Sequence, residues 1–164
     1  LTSGCAQGTV FGDLMERFEE VRLDRKAVVR TFWLYALTRK SNTAPSLYLT
    51  AGAIHGCALC EEDRPLLYME DVGRHNAVDK VVGSRVLAGA LPLEDHVLVV
   101  SGRSSFEIVQ KAFVAGIPIV ASVSAPSTLA IDLAEEAGIT LAGFVRGERF
   151  NIYTHAERVT GASA

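Results

Sequence analysis

His96-Val97-Leu98-Val99-Val100-Ser101-Gly102-Arg103-Ser104-Ser105, followed by Gly116-Ile117-Pro118-Ile119-Val120-Ala121, carries the signal that sets the fold. Both runs are apolar at successive positions, so both faces of each strand must be covered, the pattern of parallel strands packed between helices. The second half alternates: strand 96–100, helix 104–115, strand 117–123, helix 127–137, strand 139–145. Gly116 and Gly138 fall where a helix C-terminus turns into left-handed backbone, and Pro118 follows the first as a stop. The expected architecture is a three-layer α/β domain, with a mostly parallel sheet and helices on both faces.

Outward from this segment, Phe150 to Tyr153 reads as a hairpin strand returning over Arg146-Gly147-Glu148-Arg149. Upstream, strands from Leu47 to Leu59 and Leu66 to Glu70 are joined by the charged turn Glu61-Glu62-Asp63-Arg64-Pro65, and Gly73 opens a helix over 75–87. Leu14, Met15, Phe18 and Val21 recur at helical spacing, and a second helix is expected after Asp24, carrying Val28, Val29, Phe32, Trp33, Ala36 and Leu37. The expectation is one domain over 1–164, with an N-terminal cysteine loop and helical pair over about 1–46.

The 164 residues are 49% hydrophobic and 21% charged with a net charge of -3, the composition of a chain that buries a core. No apolar run reaches the length of a bilayer-spanning helix, and no Lys/Arg block provides a broad nucleic-acid footprint. Neither a membrane nor a nucleic acid is therefore expected as a partner. Three cysteines, Cys5, Cys57 and Cys60, are an odd count, which argues for a reducing, cytoplasmic compartment over a disulfide framework. The chain opens at Leu1 without a methionine, and a preceding region is expected.

Cys5 sits in Thr2-Ser3-Gly4-Cys5-Ala6-Gln7-Gly8, a glycine-flanked stretch without apolar periodicity. A thiol there is open to attack and to transfer chemistry, or is an incidental surface cysteine. Cys57-Ala58-Leu59-Cys60 has the spacing of a redox pair or half a zinc site, but it falls in an expected strand. Residues three apart on a strand point to opposite faces, so buried structural thiols are the expected reading, with redox or metal use as the alternative.

Glu70-Asp71-Val72-Gly73-Arg74-His75-Asn76 lies where a strand ends and a helix begins, and Gly102-Arg103-Ser104-Ser105 repeats that grammar. Helix N-termini present unpaired N–H groups, glycine allows close approach, and arginine adds bidentate donors: a site for a phosphorylated ligand. A third Gly-Arg turn is Arg146-Gly147-Glu148-Arg149. Helix capping and surface ion pairing are the alternative for each turn. His75 is either a structural histidine or a group that positions or moves a proton.

Residues 70–80, Ser101 to Ala112, Gly116 to Ser127 and Phe144 to Thr154 together resemble the formate dehydrogenase accessory protein (FdhD) family. The resemblance implies a sulfurtransferase of molybdenum-cofactor maturation. It implies a persulfide carried from a cysteine desulfurase to the bis-molybdopterin guanine dinucleotide cofactor of formate dehydrogenase, and a homodimer; no zinc is expected, because the residues lack the ligands for it. By resemblance Cys5 is the persulfide cysteine. Phe144, Val145, Arg146, Gly147, Glu148 and Arg149 are the cofactor-binding segment, beside Gly73, Arg74, His75, Gly102, Arg103 and Ser104. Many members have Cys-x-x-Cys in the loop, where this chain has Gly8 at the second position, so no local resolving thiol is present. The implied fold is similar to that of cytidine deaminases, but of their zinc ligands only His75 has a counterpart, and Ala77 stands where their catalytic Glu would be. A cofactor-binding chaperone without sulfur chemistry is the rival function, with a zinc nucleoside deaminase a more distant one.

Overall fold

The computed structural model describes Leu23, residues 26–43 and residues 54–161. Cys5, the expected first helix and most of the expected 47–59 strand lie outside the described residues. Within them a short strand, β1 (Val29–Arg30), leads into α1 (Thr31–Thr43). A hairpin follows, β2 (His55–Glu61) and β3 (Arg64–Asp71), then α2 (Arg74–Leu87), β4 (His96–Val100), α3 (Phe106–Val114) and β5 (Ile119–Ser122). The chain continues through α4 (Thr128–Ala137), β6 (Thr140–Arg146), β7 (Arg149–Thr154), a 3₁₀ turn (Ala156–Arg158) and β8 (Val159–Thr160).

The main sheet has the order β3-β2-β4-β5-β6-β7. Its centre, β4-β5-β6, is parallel, as the doubly apolar runs require. The β2–β3, β2–β4 and β6–β7 ladders are antiparallel, so the sheet is mixed and the expected mostly parallel sheet is corrected. The reason is local: tight turns at Glu62-Asp63 and Gly147-Glu148 form hairpins, and only the helical crossovers return the chain in the same direction.

Strand alternation divides the core in two. Cys57, Leu59, Leu98, Val100, Val120 and Leu141 face α2, α3 and α4, where Val78, Ile108, Phe113 and Leu133 meet them. Ala58, Cys60, Val97, Val99, Ile119 and Ala121 face the other side, covered by Leu34 and Leu37 of α1. Helices thus lie on both faces, three on one and one on the other among the described residues. The two cores are continuous through strands without a polar face, and full burial of each large aliphatic side chain contributes about 1.5–3 kcal/mol.

Gly116 and Gly138 adopt φ of +76° and +73°, the left-handed helix ends read from the sequence. The helix expected after Asp24 begins instead at Thr31, because Val29–Arg30 pairs in parallel with Val159–Thr160 and Thr31 Oγ1 donates to the Thr160 carbonyl at 3.1 Å. The C-terminal strand therefore straps the entrance of α1.

Candidate functional site

Because β3, β4, β5 and β6 run in one direction, their C-terminal ends share one edge of the sheet. Each of the first three feeds a helix, so α2, α3 and α4 all point their N-termini to that edge. Ligands of open α/β sheets collect there. His55, first residue of β2, pairs in register with Asp71 and joins the same edge.

The loops are tied to one another. A Cβ placed on Gly102 would lie 3.0 Å from His55 Nδ1 and 3.6 Å from Arg74 Cδ, so His55 and the Arg74 stem both lie against this glycine. His75 Nε2 lies 2.8 Å from Ser105 Oγ, linking the starts of α2 and α3. Ser122 Oγ donates to the Gly102 carbonyl at 2.6 Å and accepts from the Ser124 N–H at 3.0 Å. The Ser127 N–H donates to the Ser104 carbonyl at 2.9 Å, and the Phe144 N–H to the Ser124 carbonyl at 3.2 Å. Arg146 Nε donates to the Val123 carbonyl at 3.2 Å. Four strand ends thus form one continuous rim.

The Gly73-Arg74-His75 and Gly102-Arg103-Ser104 turns meet directly. The Arg146–Arg149 turn joins them only through Val123 and Ser124. Arg103 and Arg149 are exposed with no partner among the described residues. Phe144 is 44% exposed and holds φ of +54°, a costly backbone conformation for a bulky side chain. Gly147 at φ +57° makes the β6–β7 turn, and Glu148 is exposed on it. Val145 is the exception among the expected ligand contacts: it is buried with Cys60, Val97 and Ala142 under α1, so its side chain serves the core. The irregularity in β6, where the register with β7 shifts between Gly143 and Arg146 and Phe144 leaves extended backbone, puts Val145 in the same core as Ala142 while Phe144 and Arg146 are exposed.

The electrostatics suit an anion. α4 is capped conventionally, Ser127 Oγ accepting from the Ala130 N–H at 3.2 Å. At α2 the cap is Gly73, and at α3 the capping Ser105 makes no such bond, its hydroxyl being engaged with His75, so neither helix start is closed by its cap side chain, although at α3 the Glu107 carboxylate meets its own N–H. Arg74 Nε and Ser104 Oγ are buried without a hydrogen-bond partner among the described residues. A buried guanidinium nitrogen without an acceptor calls for one. Asp71 is held well below the usual carboxylate range, at about 2, by Lys80, the Gly73 N–H and Asn76. Burial and then the Arg74 charge push His75 down against the pull of Glu107, so its imidazole is neutral near pH 7.

His75, Ser105 and Glu107 do not form a nucleophilic triad. Both Ser105 Oγ and Glu107 Oε2, at 3.7 Å, lie at the same ring nitrogen, whereas a triad needs them on opposite nitrogens.

Cys57 and Cys60 are buried, unpaired and in different cores, Cys57 under α2–α4 and Cys60 under α1. Burial pushes the Cys57 thiol far up, with Cys60 adding to the shift, and raises Cys60 to about 12, so neither is a thiolate at neutral pH. No sequence motif marks His55, Ser122 or Ser124 as site residues. Ser122-Val123-Ser124-Ala125-Pro126-Ser127 has the same strand-loop-helix grammar as the two Gly-Arg loops, without an arginine to mark it.

A family model described as the FdhD/NarQ family matches residues 1–160. Among relatives, a protein from Thermoplasma acidophilum named sulfur carrier protein FdhD is 48% identical over 156 residues, covering 94% of this chain and 54% of its own. A protein of the same name from Nocardia farcinica is 54% identical over 120 residues, 73% of this chain and 43% of its own. The chain thus spans about half the length of these relatives. A crystal structure of a candidate formate dehydrogenase accessory protein from Desulfotalea psychrophila superposes with a TM-score of 0.79 at 35% identity, covering 88% of this chain and 62% of that one. With its edge of arginines and helix N-termini, and with sequence agreement along nearly its whole length, this chain belongs to the FdhD/NarQ family.

Proposed function

We propose that this chain carries the sulfur-accepting and cofactor-binding parts of a sulfurtransferase serving formate dehydrogenase. The thiolate of Cys5 attacks the terminal sulfur of a cysteine desulfurase persulfide. The donor S–S bond breaks, the donor cysteine leaves as thiolate, and Cys5 becomes the persulfide. The acceptor is the molybdenum centre of bis-molybdopterin guanine dinucleotide, bound as substrate. Arg74, Arg103, Arg146 and Arg149 meet its phosphates with the N-termini of α2 and α3, and Gly102 lets them approach. We place the protein in the cytoplasm as a homodimer. We read its layered fold as of the cytidine-deaminase kind, put to a different chemistry.

The observation that carries this reading is the single rim on which Arg74, with its unpartnered Nε, two helix N-termini without side-chain caps and the Arg146 turn are bonded into one unit. The donor set fits a diphosphate: each guanidinium donates, and no carboxylate is hydrogen-bonded to Arg74 or Arg146 among the described residues. The relatives' name, sulfur carrier, supports the transfer role.

The test is intact-mass analysis after incubation with desulfurase and cysteine. The wild type is expected to gain one reductant-labile sulfur atom, C5A none, and the C57A/C60A double variant the same as wild type. Loading of C5A equal to wild type would overturn the carrier assignment, and a wild type that binds the cofactor without loading would favour a chaperone.

A further inference from the structure

We propose that His75 is a specificity-determining residue of this site, a neutral imidazole whose Nδ1 accepts a hydrogen bond from an N–H of the ligand's heterocycle. The inference rests on the guanine-dinucleotide reading above and assigns one contact within it.

The tautomer follows from the neighbours of Nε2. Ser105 Oγ is 2.8 Å from Nε2 and Glu107 Oε2 is 3.7 Å from it. A carboxylate only accepts, and a hydroxyl can accept from Nε2 as well as donate, so both neighbours are satisfied by a proton on Nε2. The proton that satisfies this arrangement sits on Nε2, and it leaves the lone pair on Nδ1. Nδ1 has no partner among the described residues, and unlike Arg74 Nε it is not sealed from solvent. Ser105 and Glu107 are thus positioning residues that orient a ring offering an acceptor.

Charges reach His75 from both helices: Arg74 and Asp79 on α2, Glu107 and Lys111 on α3. His55, from β2, lies against the same Gly102 as Arg74. Burial and the cations prevail over the carboxylates, so the lone pair is available at neutral pH. Every arginine on the rim can only donate. His75 supplies the complementary function, and a ligand with both phosphate oxygens and ring N–H groups uses both. Guanine and pterin each offer a ring N–H beside an exocyclic amine.

The test uses the whole chain, with guanosine diphosphate and inorganic pyrophosphate as probes in titration calorimetry and ¹⁵N NMR of the histidine rings. NMR is expected to show His75 protonated at Nε2 alone near neutral pH. H75A is expected to weaken guanosine diphosphate about tenfold with pyrophosphate unchanged, the loss of one well-placed acceptor. H75N, whose amide oxygen sits near the place of Nδ1, restores most of the affinity. Lowering the pH until the ¹⁵N spectra show Nδ1 protonated reduces the wild-type preference for guanosine diphosphate over pyrophosphate by more than it changes that of H75A, which reports only the titration of the probes' own phosphates. A proton on Nδ1, equal weakening of both probes in H75A, or no change in either overturns the inference while leaving the cofactor reading in place. Failure of the wild type to bind guanosine diphosphate at all removes both.

Discussion

Ser122→Ala deletes one hydroxyl and should loosen the whole rim. Ser122 is fully buried at the end of β5, and its Oγ makes two bonds, donating to the Gly102 carbonyl at 2.6 Å and accepting from the Ser124 N–H at 3.0 Å. These bonds tie the β4–α3 loop to the β5–α4 loop, and the Ser124 carbonyl in turn anchors Phe144. A hydrogen bond contributes about 1 kcal/mol net, and a carbonyl left buried without a donor costs about 1–3 kcal/mol. The expected loss is therefore about 2–4 kcal/mol. At about 2–4 °C per kcal/mol for a chain of this size, the melting temperature should fall by about 4–16 °C, with weaker guanosine diphosphate binding. Ser124→Ala is the control: no hydrogen bond of its hydroxyl is seen among the described residues, and the change should stay within about 0.5 kcal/mol. Calorimetric melting of both variants decides the matter. A Ser122→Ala shift no larger than the control's would refute the idea that this hydroxyl holds the loops together.

Acid should act through two groups with the same sign. The folded state holds the Asp71 carboxyl down at about 2, so the stability this contributes is full above the ordinary carboxylate range and is lost as pH falls toward about 2; D71N should flatten that part of a denaturant-midpoint titration. The His75 imidazole is also held below its ordinary value, so its contribution is intact above about 6.5 and declines as pH falls below it, a slope that H75N should remove. Cys57 and Cys60, buried and protonated, should resist iodoacetamide in the native protein and react only on unfolding, as peptide mass spectrometry would report. Gly143→Ala should destabilise by about 1–3 kcal/mol in denaturant unfolding, since its Cβ would lie 2.9 Å from Tyr153 Cε2, 3.0 Å from Pro126 Cδ and 3.2 Å from the Ser124 carbonyl oxygen.

The parts of this molecule that could be read from sequence are those with a local cause. Doubly apolar strands at Val97–Val100 and Ile119–Ala121, left-handed helix ends at Gly116 and Gly138, and the Glu62-Asp63 and Gly147-Glu148 turns each carry their signal within a few residues. The same logic separated Cys57 from Cys60, since alternation alone sends them to opposite cores. The pairing of Val29–Arg30 with Val159–Thr160 had no such signal, because two residues at each end of the chain meet only through the tertiary fold. It displaced the start of α1 past the acidic residue that would have capped it. The antiparallel pairing of β2 with β4 was hidden for a related reason: strand composition reports burial on both faces and not the direction of the neighbour.

At the rim, glycines and arginines at strand ends were visible as chemistry, while the contacts that join them were not. His55 carries no motif and reaches Gly102 only because β2 runs antiparallel beside β4. Val145 belongs to the ligand segment Phe144–Arg149 implied by the family resemblance, although its place on β6 turns its side chain inward.

The claim beneath the account is that the edge formed by the ends of β3, β4, β5 and β6 binds the dinucleotide's phosphates. Titration calorimetry of guanosine diphosphate into wild type, R74A, R146A and R64A tests it most directly. Arg64 begins β3 at the opposite edge, where it pairs with Glu61 at 3.0 Å. R74A and R146A are each expected to weaken binding by about 10- to 100-fold, the loss of a charge-assisted contact, and R64A to leave it unchanged. Equal affinities across all four proteins would contradict the account.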